Sequence, residues 1–256
     1  MSFESVRPFR FGVFLCCDAL LLFQTDDPCY PNPCSGNEKC AKTNRESYYC
    51  QEIIPKDCGD ILVTGKGSGV YAINIDGTHG FKVYCDMETN GGGYTVFQNR
   101  YDGSVDFYNA RTWANFKHGF GNLSGEFWLG LENIHQMTRK NEFMLRVDLE
   151  DHYGVKAYAE YTTFSVNSEA DKYRLGIAGY SGTAGDFKDS GMLNDANMQF
   201  STPDMNTFCT LRMKSGWWHE YCTHSNLNGV YNAGIFWYGF KQYTDLKKVS
   251  MKIKRK

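Results

Sequence analysis

The cysteines constrain this chain more than any other residue type, because they are dense at one end and sparse at the other. Of ten in 256 residues, Cys29, Cys34, Cys40, Cys50 and Cys58 crowd one short stretch, whereas Cys85, Cys209 and Cys222 are scattered along the remainder. A small cysteine-dense segment is stapled by bridges, while a long cysteine-poor one can bury a core of its own. The shift marks a boundary near Ile54 to Lys56, where Pro55 holds the preceding residue extended. Cys16 and Cys17 fall in a third kind of segment. Phe11 to Phe23 form an apolar run behind Arg7 and Arg10, short of the roughly 20 residues that span a bilayer. Residues 1–25 therefore read as a secretory signal peptide. Without them eight cysteines remain, an even number suited to four bridges, and the expected location is secreted and extracellular. The organisation expected is thus 1–25 signal, 26–54 a small disulfide-rich module, and 55–256 a larger domain.

Charge excludes one class of partner. The 27 Lys and Arg are matched by 29 Asp and Glu, for a net charge of -2 with both signs dispersed. That leaves no basic footprint for a nucleic acid, and no stretch is long enough for a membrane span. The aromatic share of 16% supplies ample apolar surface for a globular core.

In the larger segment the dominant period is two. Phe143, Leu145, Val147 and Leu149 alternate with polar residues, the turn Asp151-His152-Tyr153-Gly154 follows, and Val155, Ala157, Ala159 and Tyr161 resume the alternation, so the pair reads as an antiparallel hairpin. Val70 to Ile75 reads as a strand ending in the turn Asp76-Gly77, and Val249, Met251 and Ile253 predict a C-terminal strand. Helical spacing is clearest over Glu126 to Met137, with Leu131, Ile134 and Met137 on one side. Gly176 to Gly239, rich in Gly, Asn, Asp and aromatics, shows little period of either kind. The fold class expected is α+β with a large irregular C-terminal region, the kind of surface on which function tends to sit.

Catalytic motifs are missing. Gly65-Lys66-Gly67-Ser68-Gly69 leads into a strand, whereas a phosphate loop opens a helix. Gly179-Tyr180-Ser181-Gly182-Thr183 lacks the second glycine of a nucleophile elbow, and no histidine pair has zinc-helix spacing. The expectation is no enzyme. Asp204-Met205-Asn206 places two side-chain oxygens at i and i+2, a thin beginning for calcium, which takes six to eight oxygens, and an Asx turn after Pro203 fits equally well. Asn122-Leu123-Ser124 is a candidate glycosylation sequon.

Several long motifs, in order, carry a resemblance. DCGDI from Asp57, SGVYAINIDG, FKVYCDMETNGGGYTVFQNRYDGSVDF, GEFWLGLENIH and SGWWHEYCTHSNLNGVY together resemble the fibrinogen C-terminal domain, also found in ficolins, tachylectins, angiopoietins and tenascins. The resemblance covers roughly the last 200 residues. It implies a central antiparallel sheet with short helices, a final strand returning to that sheet, and an irregular C-terminal subdomain that carries the ligand site. It further implies bridges Cys58 with Cys85 and Cys209 with Cys222. DPCYPNPCSGNEKCAKTNRESYYC resembles a truncated EGF-like module, with Glu52 where a fifth cysteine would stand, and that likeness implies Cys29 with Cys40 and Cys34 with Cys50. Four cysteines alone allow three connectivities.

The resemblance also implies a function: lectin-like binding of acetylated sugars or similar surface groups through Tyr221, Cys222, Thr223 and His224, with Trp217, Trp218 and Tyr243 as aromatics. Large aromatics are more often core than ligand platform, and the two tryptophans read equally well as packing. The chain departs from the family in three places. The family's calcium loop is cut to Phe200 to Cys209, leaving Asp204 and Asn206 as candidate ligands and making a Ca2+ cofactor doubtful. Thr223 stands at the family's histidine position, with His224 one place later. The loop after Gly229 is shortened to Tyr231-Asn232-Ala233. These losses favour an alternative, an extracellular protein-binding, matrix or signalling module that has lost the sugar pocket. The partners expected are therefore acetylated glycans or extracellular proteins.

Overall fold

A computed structural model describes residues 27–256 apart from 31–32, 35–37, 44–46, 53, 79, 110, 141 and 188–189. The signal-peptide reading of residues 1–25 lies outside the described residues. The chain forms two compact units divided between Ile54 and Pro55.

In the first unit β1 (Glu38–Lys42) and β2 (Tyr48–Glu52) form an antiparallel ribbon in which Cys40 lies opposite Cys50. Bridges join Cys29 to Cys40 and Cys34 to Cys50. Two facing cysteines on adjacent strands each reach outward to a partner earlier in the chain, so a two-stranded ribbon too small to bury a core is held by sulfur.

The second unit opens with α1 (Cys58–Leu62), whose N-cap Asp57 accepts the Gly59 and Asp60 N–H groups. The hairpin β3 (Gly69–Asn74) and β4 (Gly80–Asp86) follows, its turn fastened by Asn74 Oδ1 accepting Gly77 N–H and Asp76 Oδ1 accepting Thr78 N–H. Next come β5 (Tyr94–Arg100), α2 (Trp113–His118), β6 (Phe120–Gly121), β7 (Phe127–Trp128), α3 (Leu131–Thr138), β8 (Phe143–Asp151), β9 (Lys156–Val166) and β10 (Leu175–Gly182). The chain closes with α4 (Phe208–Met213), β11 (Ser225–Asn226), β12 (Phe236–Trp237), α5 (Tyr238–Lys241) and β13 (Leu246–Arg255).

The central sheet runs β10-β9-β8-β13-β5-β4-β3, with β7 bridging β5 to β6. Its pairings are antiparallel, and the last strand lies between β8 and β5. Period-two patterning explains why it fits there. Val249, Met251 and Ile253 are buried, and so are Phe143, Leu145, Val147 and Leu149 on the neighbouring strand. α3 packs on β9, where Thr138 Oγ1 accepts the Val166 N–H at 3.1 Å and His135 Nδ1 stands 2.8 Å from the Val166 carbonyl. On the opposite, polar face Lys252 reaches Asp86 and Asp148, each at 2.7 Å, and Arg146 reaches Asp148 and Glu160. Burial would raise the Asp86 carboxyl, but the Lys252 and Thr89 hydrogen bonds outweigh it and hold Asp86 well below the ordinary carboxylate range.

Three expectations need correction. The helix does not begin at Glu126: Phe127 and Trp128 pair as a strand, and the helix starts at Leu131. Gly130 (φ 103°) fixes that start, because a Cβ there would stand 2.7 Å from the His118 carbonyl carbon. Val155 lies in the turn and is half exposed; its N–H is taken by Asp151 Oδ1, so inward alternation begins only at Ala157. Leu175 to Gly182 is a sheet strand within what reads as an irregular region, with Leu175 and Ile177 buried. Its glycines hid the period. The remainder of 183–239 is loops with short helical and strand pieces.

Candidate functional site

The C-terminal loop region is built around one disulfide. Cys209, in α4, is bridged to Cys222, with Cα atoms 4.9 Å apart, and Cys58 is bridged to Cys85. Thr207 caps α4 by accepting the Thr210 N–H. Across the bridge, Tyr221, Cys222 and Thr223 have φ of 42°, 67° and 69°. Three consecutive non-glycine residues in the left-handed region are each strained by roughly 1–3 kcal/mol, so the surroundings must hold them there.

Buried hydrogen bonds do this. Thr223 is buried, and its hydroxyl oxygen stands 2.6 Å from Asp195 Oδ1 and accepts the Ser225 N–H at 3.1 Å. Asp195 Oδ2 accepts from Trp217 Nε1 at 3.0 Å and Ser225 Oγ at 2.8 Å. Burial pushes the Asp195 carboxyl up to about 8, against the lowering pull of those donors. The loop is thus tied to the interior at Thr223 and to α4 at Cys222. Beside these ties Tyr221 points out, 99% exposed.

The expected ligand residues divide accordingly. Trp217 and Trp218 are 0% exposed. Trp217 exchanges backbone hydrogen bonds with Ser201, and Trp218 donates its indole N–H to the Tyr173 carbonyl and packs edge-on against Phe200. Both rings are core and offer no face to a ligand, because the apolar layer beneath the loop needs them. Cys222 and Thr223 are buried as well. Tyr221 is 99% exposed and Tyr243 59%. His224 is half buried; its Nδ1 donates to Asn194 Oδ1 at 3.1 Å, and Asn194 Nδ2 donates to Glu220 Oε2 at 2.9 Å. The His224 ring lies 5.2 Å from Tyr238 and 6.5 Å from Tyr243, and Tyr243 lies 5.0 Å from Tyr238 and 5.1 Å from Phe236. His224, Tyr238 and Tyr243 form one aromatic corner.

Sequence reasoning did not single out several of these residues. Tyr238, Asn194 and Glu220 set the corner. Phe208, next to Cys209, is 72% exposed, and Met205 and Leu211 are exposed near it. The signal for Phe208 was its place beside a bridged cysteine in a loop that has lost its carboxylates.

Asp204 and Asn206 do not fit calcium. The Asp204 carboxylate accepts the Trp113 N–H at 3.1 Å and the Thr202 hydroxyl at 2.6 Å, so it serves the first turn of α2. Asn206 is left-handed (φ 52°), and its Nδ2 donates to the Asp204 carbonyl. Among the described residues no three His, Cys, Asp or Glu side chains gather as metal ligands do. Among them, too, no helix is long and apolar enough to cross a membrane.

Comparison with known proteins agrees with this architecture. Residues 54–256 match the family of fibrinogen beta and gamma chains, C-terminal globular domain. Human fibroleukin is 44% identical over 220 residues, covering 78% of this chain and 50% of fibroleukin. The chain thus spans about half the length of that relative. The fibrinogen-like globe domain of human ANGPTL6 superposes with a TM-score of 0.73 at 38% identity, covering 78% of this chain and 95% of that one. A lamprey fibrin D-dimer, solved with the peptide ligand Gly-His-Arg-Pro-amide, gives 0.69 at 35% identity, covering 78% and 73%. The sheet with its returning last strand, the bridge beneath the loop surface and the match over residues 54–256 agree: the chain belongs to the family of proteins built on the fibrinogen C-terminal globular domain.

Proposed function

We propose that this chain is a non-enzymatic extracellular recognition module that binds a protein partner through the apolar and aromatic residues around the Cys209–Cys222 bridge. The observation that carries the reading is the exposure of Phe208 and Tyr221, each one residue before a bridged cysteine. Rigid aromatic side chains on bridged, tethered backbone lose little entropy on binding and are the residue types that dominate interface energies. The four bridges suit an oxidising compartment. The lamprey fibrin D-dimer, of like fold, was solved with a peptide ligand, which supports a peptide-binding use. The N-terminal ribbon, which resembles a truncated EGF-like module, acts as a disulfide-tied spacer. Immobilised wild-type protein should retain an extracellular protein whether or not calcium or acetylated sugars are present, and the F208A/Y221A variant should lose it. Retention unaltered in that variant would overturn the reading.

The corner of His224, Tyr238 and Tyr243 favours a second reading, an acetylated glycan stacked on the exposed rings. Acetylated and non-acetylated resins, each with and without chelator, separate the two. Equal retention on both resins removes the glycan reading.

A further inference from the structure

Asn122-Leu123-Ser124 is the one Asn-x-Ser/Thr triplet in the sequence, and the recognition surface does not use it. It occupies the reversal between β6 and β7. Gly121 (φ 93°) permits the two short strands to approach, since a Cβ there would stand 2.3 Å from the Glu126 carbonyl oxygen. The turn is then closed by Asn122 N–H donating to the Glu126 carbonyl at 2.9 Å and Gly125 N–H donating to the Asn122 carbonyl at 2.8 Å. Within it Asn122 Oδ1 accepts the Ser124 N–H at 3.0 Å. The oxygen end of the side-chain amide is engaged, and Nδ2, the atom that takes the first sugar, lies at the opposite end. Asn122 and Ser124 are both exposed. The folded turn therefore has room for a glycan and needs no rearrangement to carry one.

We propose that Asn122 bears an N-linked glycan, and that its first sugars lie over the rim of the neighbouring cavity on the polar face of the sheet. That cavity, of about 310 Å³, is lined by Leu123 and Ser124 from the turn and by Ser68, Tyr84, Asp86 and Thr89 among others. Hydroxyls, a carboxylate and one ring are the groups that hydrogen-bond and stack on saccharides. With that face covered, partner contacts fall on the loop surface around Cys209 and Cys222.

The inference rests on the extracellular reading, and one experiment separates the two. The full chain is expressed in a eukaryotic cell, and the protein in the medium is analysed by intact mass before and after peptide N-glycosidase F. The expected result is a mass loss on digestion, conversion of Asn122 to aspartate, and no shift in N122Q or S124A. Amide exchange at residues 84–89 and 123–124 should be faster after digestion of the folded protein. Disulfide-bonded protein in the medium with no glycan at Asn122 overturns the site and leaves the extracellular reading standing. Protein retained in the cytosol with free thiols overturns both. A glycan present with unchanged exchange at those residues overturns its placement over the cavity.

Discussion

Thr223 Oγ1 lies 2.6 Å from Asp195 Oδ1 and 2.8 Å from the Ser225 carbonyl oxygen, so a single hydroxyl proton faces two acceptors. A proton on Asp195 resolves this: the carboxyl O–H is given to Thr223, whose own proton passes to the Ser225 carbonyl. Burial favours the same neutral form, with the carboxyl raised to about 8 from an ordinary 3.8. A raised folded value means that the stability from Asp195 is fully present below 3.8 and is lost as pH rises through about 8. The slope is at most roughly 1.4 kcal/mol per pH unit. Urea unfolding from pH 4 to pH 8 should show this decline. Asp195→Asn should flatten it, because the amide N–H can serve Thr223 as the carboxyl proton does while its oxygen still accepts from Trp217 and Ser225. Parallel profiles for the two proteins would remove Asp195 as the titrating group.

The Cys209–Cys222 bridge closes a loop with a sequence separation of 13. Replacing both cysteines by serine should destabilise the domain by about 2–4 kcal/mol, the range for loops of this size. Partner binding should weaken more than stability alone explains, since the bridge sets the positions of Phe208 and Tyr221. A variant with an unchanged urea midpoint would contradict the first expectation, and one with unchanged affinity the second.

Much of the fold was legible because its strands are half-buried and alternate. Phe143 to Leu149 and Val249 to Ile253 announce themselves by period, and they are the strands that meet in the middle of the sheet. β10 escaped because Gly176 and Gly179 stand where side chains would mark its faces. The site was harder to read for a different reason. A sequence shows that Trp217, Trp218 and Tyr243 are aromatic but not which of them the fold turns inward, and exposure separates them completely. Asp195 and Glu126 look like ordinary surface acids, since the donors that keep them inside come from segments distant in sequence.

That separation can be measured. Trp218→Ala should cost about 3–5 kcal/mol, as expected for emptying a fully buried ring position. Tyr243→Ala should stay within about 0.5 kcal/mol of wild type, because more than half of the residue is already in solvent. If the aromatic corner contacts a ligand, Tyr243→Ala should raise Kd tenfold or more, which is about 1.4 kcal/mol. Equal thermal stability of the two variants would mean that Trp218 is not core.

Asp204 offers a test of its assignment to α2. Both of its carboxylate oxygens lie within 3.2 Å of the Trp113 nitrogen. Asp204→Ala should therefore lower stability by about 1 kcal/mol, the usual loss when a helix N-terminus is deprived of its side-chain acceptor. The loss should be the same with millimolar calcium as with chelator. A calcium-dependent rise in Tm present in wild type and absent in the variant would show instead that backbone oxygens complete a metal site around Asp204.

Glu126 is a buried acid held by the backbone of residues 101–105. Its Oε1 accepts the N–H groups of Tyr101, Asp102 and Gly103 at 2.6, 2.9 and 2.9 Å, and Oε2 accepts that of Val105 at 3.2 Å. Oε2 also stands 3.8 Å from Arg100 Nε in a fully buried pair. Burial pulls the Arg100 guanidinium down to about 10, with Glu126 opposing the shift. In Glu126→Gln the amide oxygen can still serve one set of N–H groups, but the NH2 end must face either a backbone donor or the guanidinium. Removing one partner of a buried charge pair costs about 3–5 kcal/mol, so E126Q should be destabilised by that amount. Faster amide exchange should be confined at first to residues 101–105. A loss below about 1 kcal/mol would mean that Arg100 keeps its charge without a carboxylate, held by the Phe107 ring, whose centroid is 3.7 Å from the guanidinium carbon, and by the Gly229 and Leu227 carbonyls, which accept from its Nη1 at 3.0 and 3.5 Å.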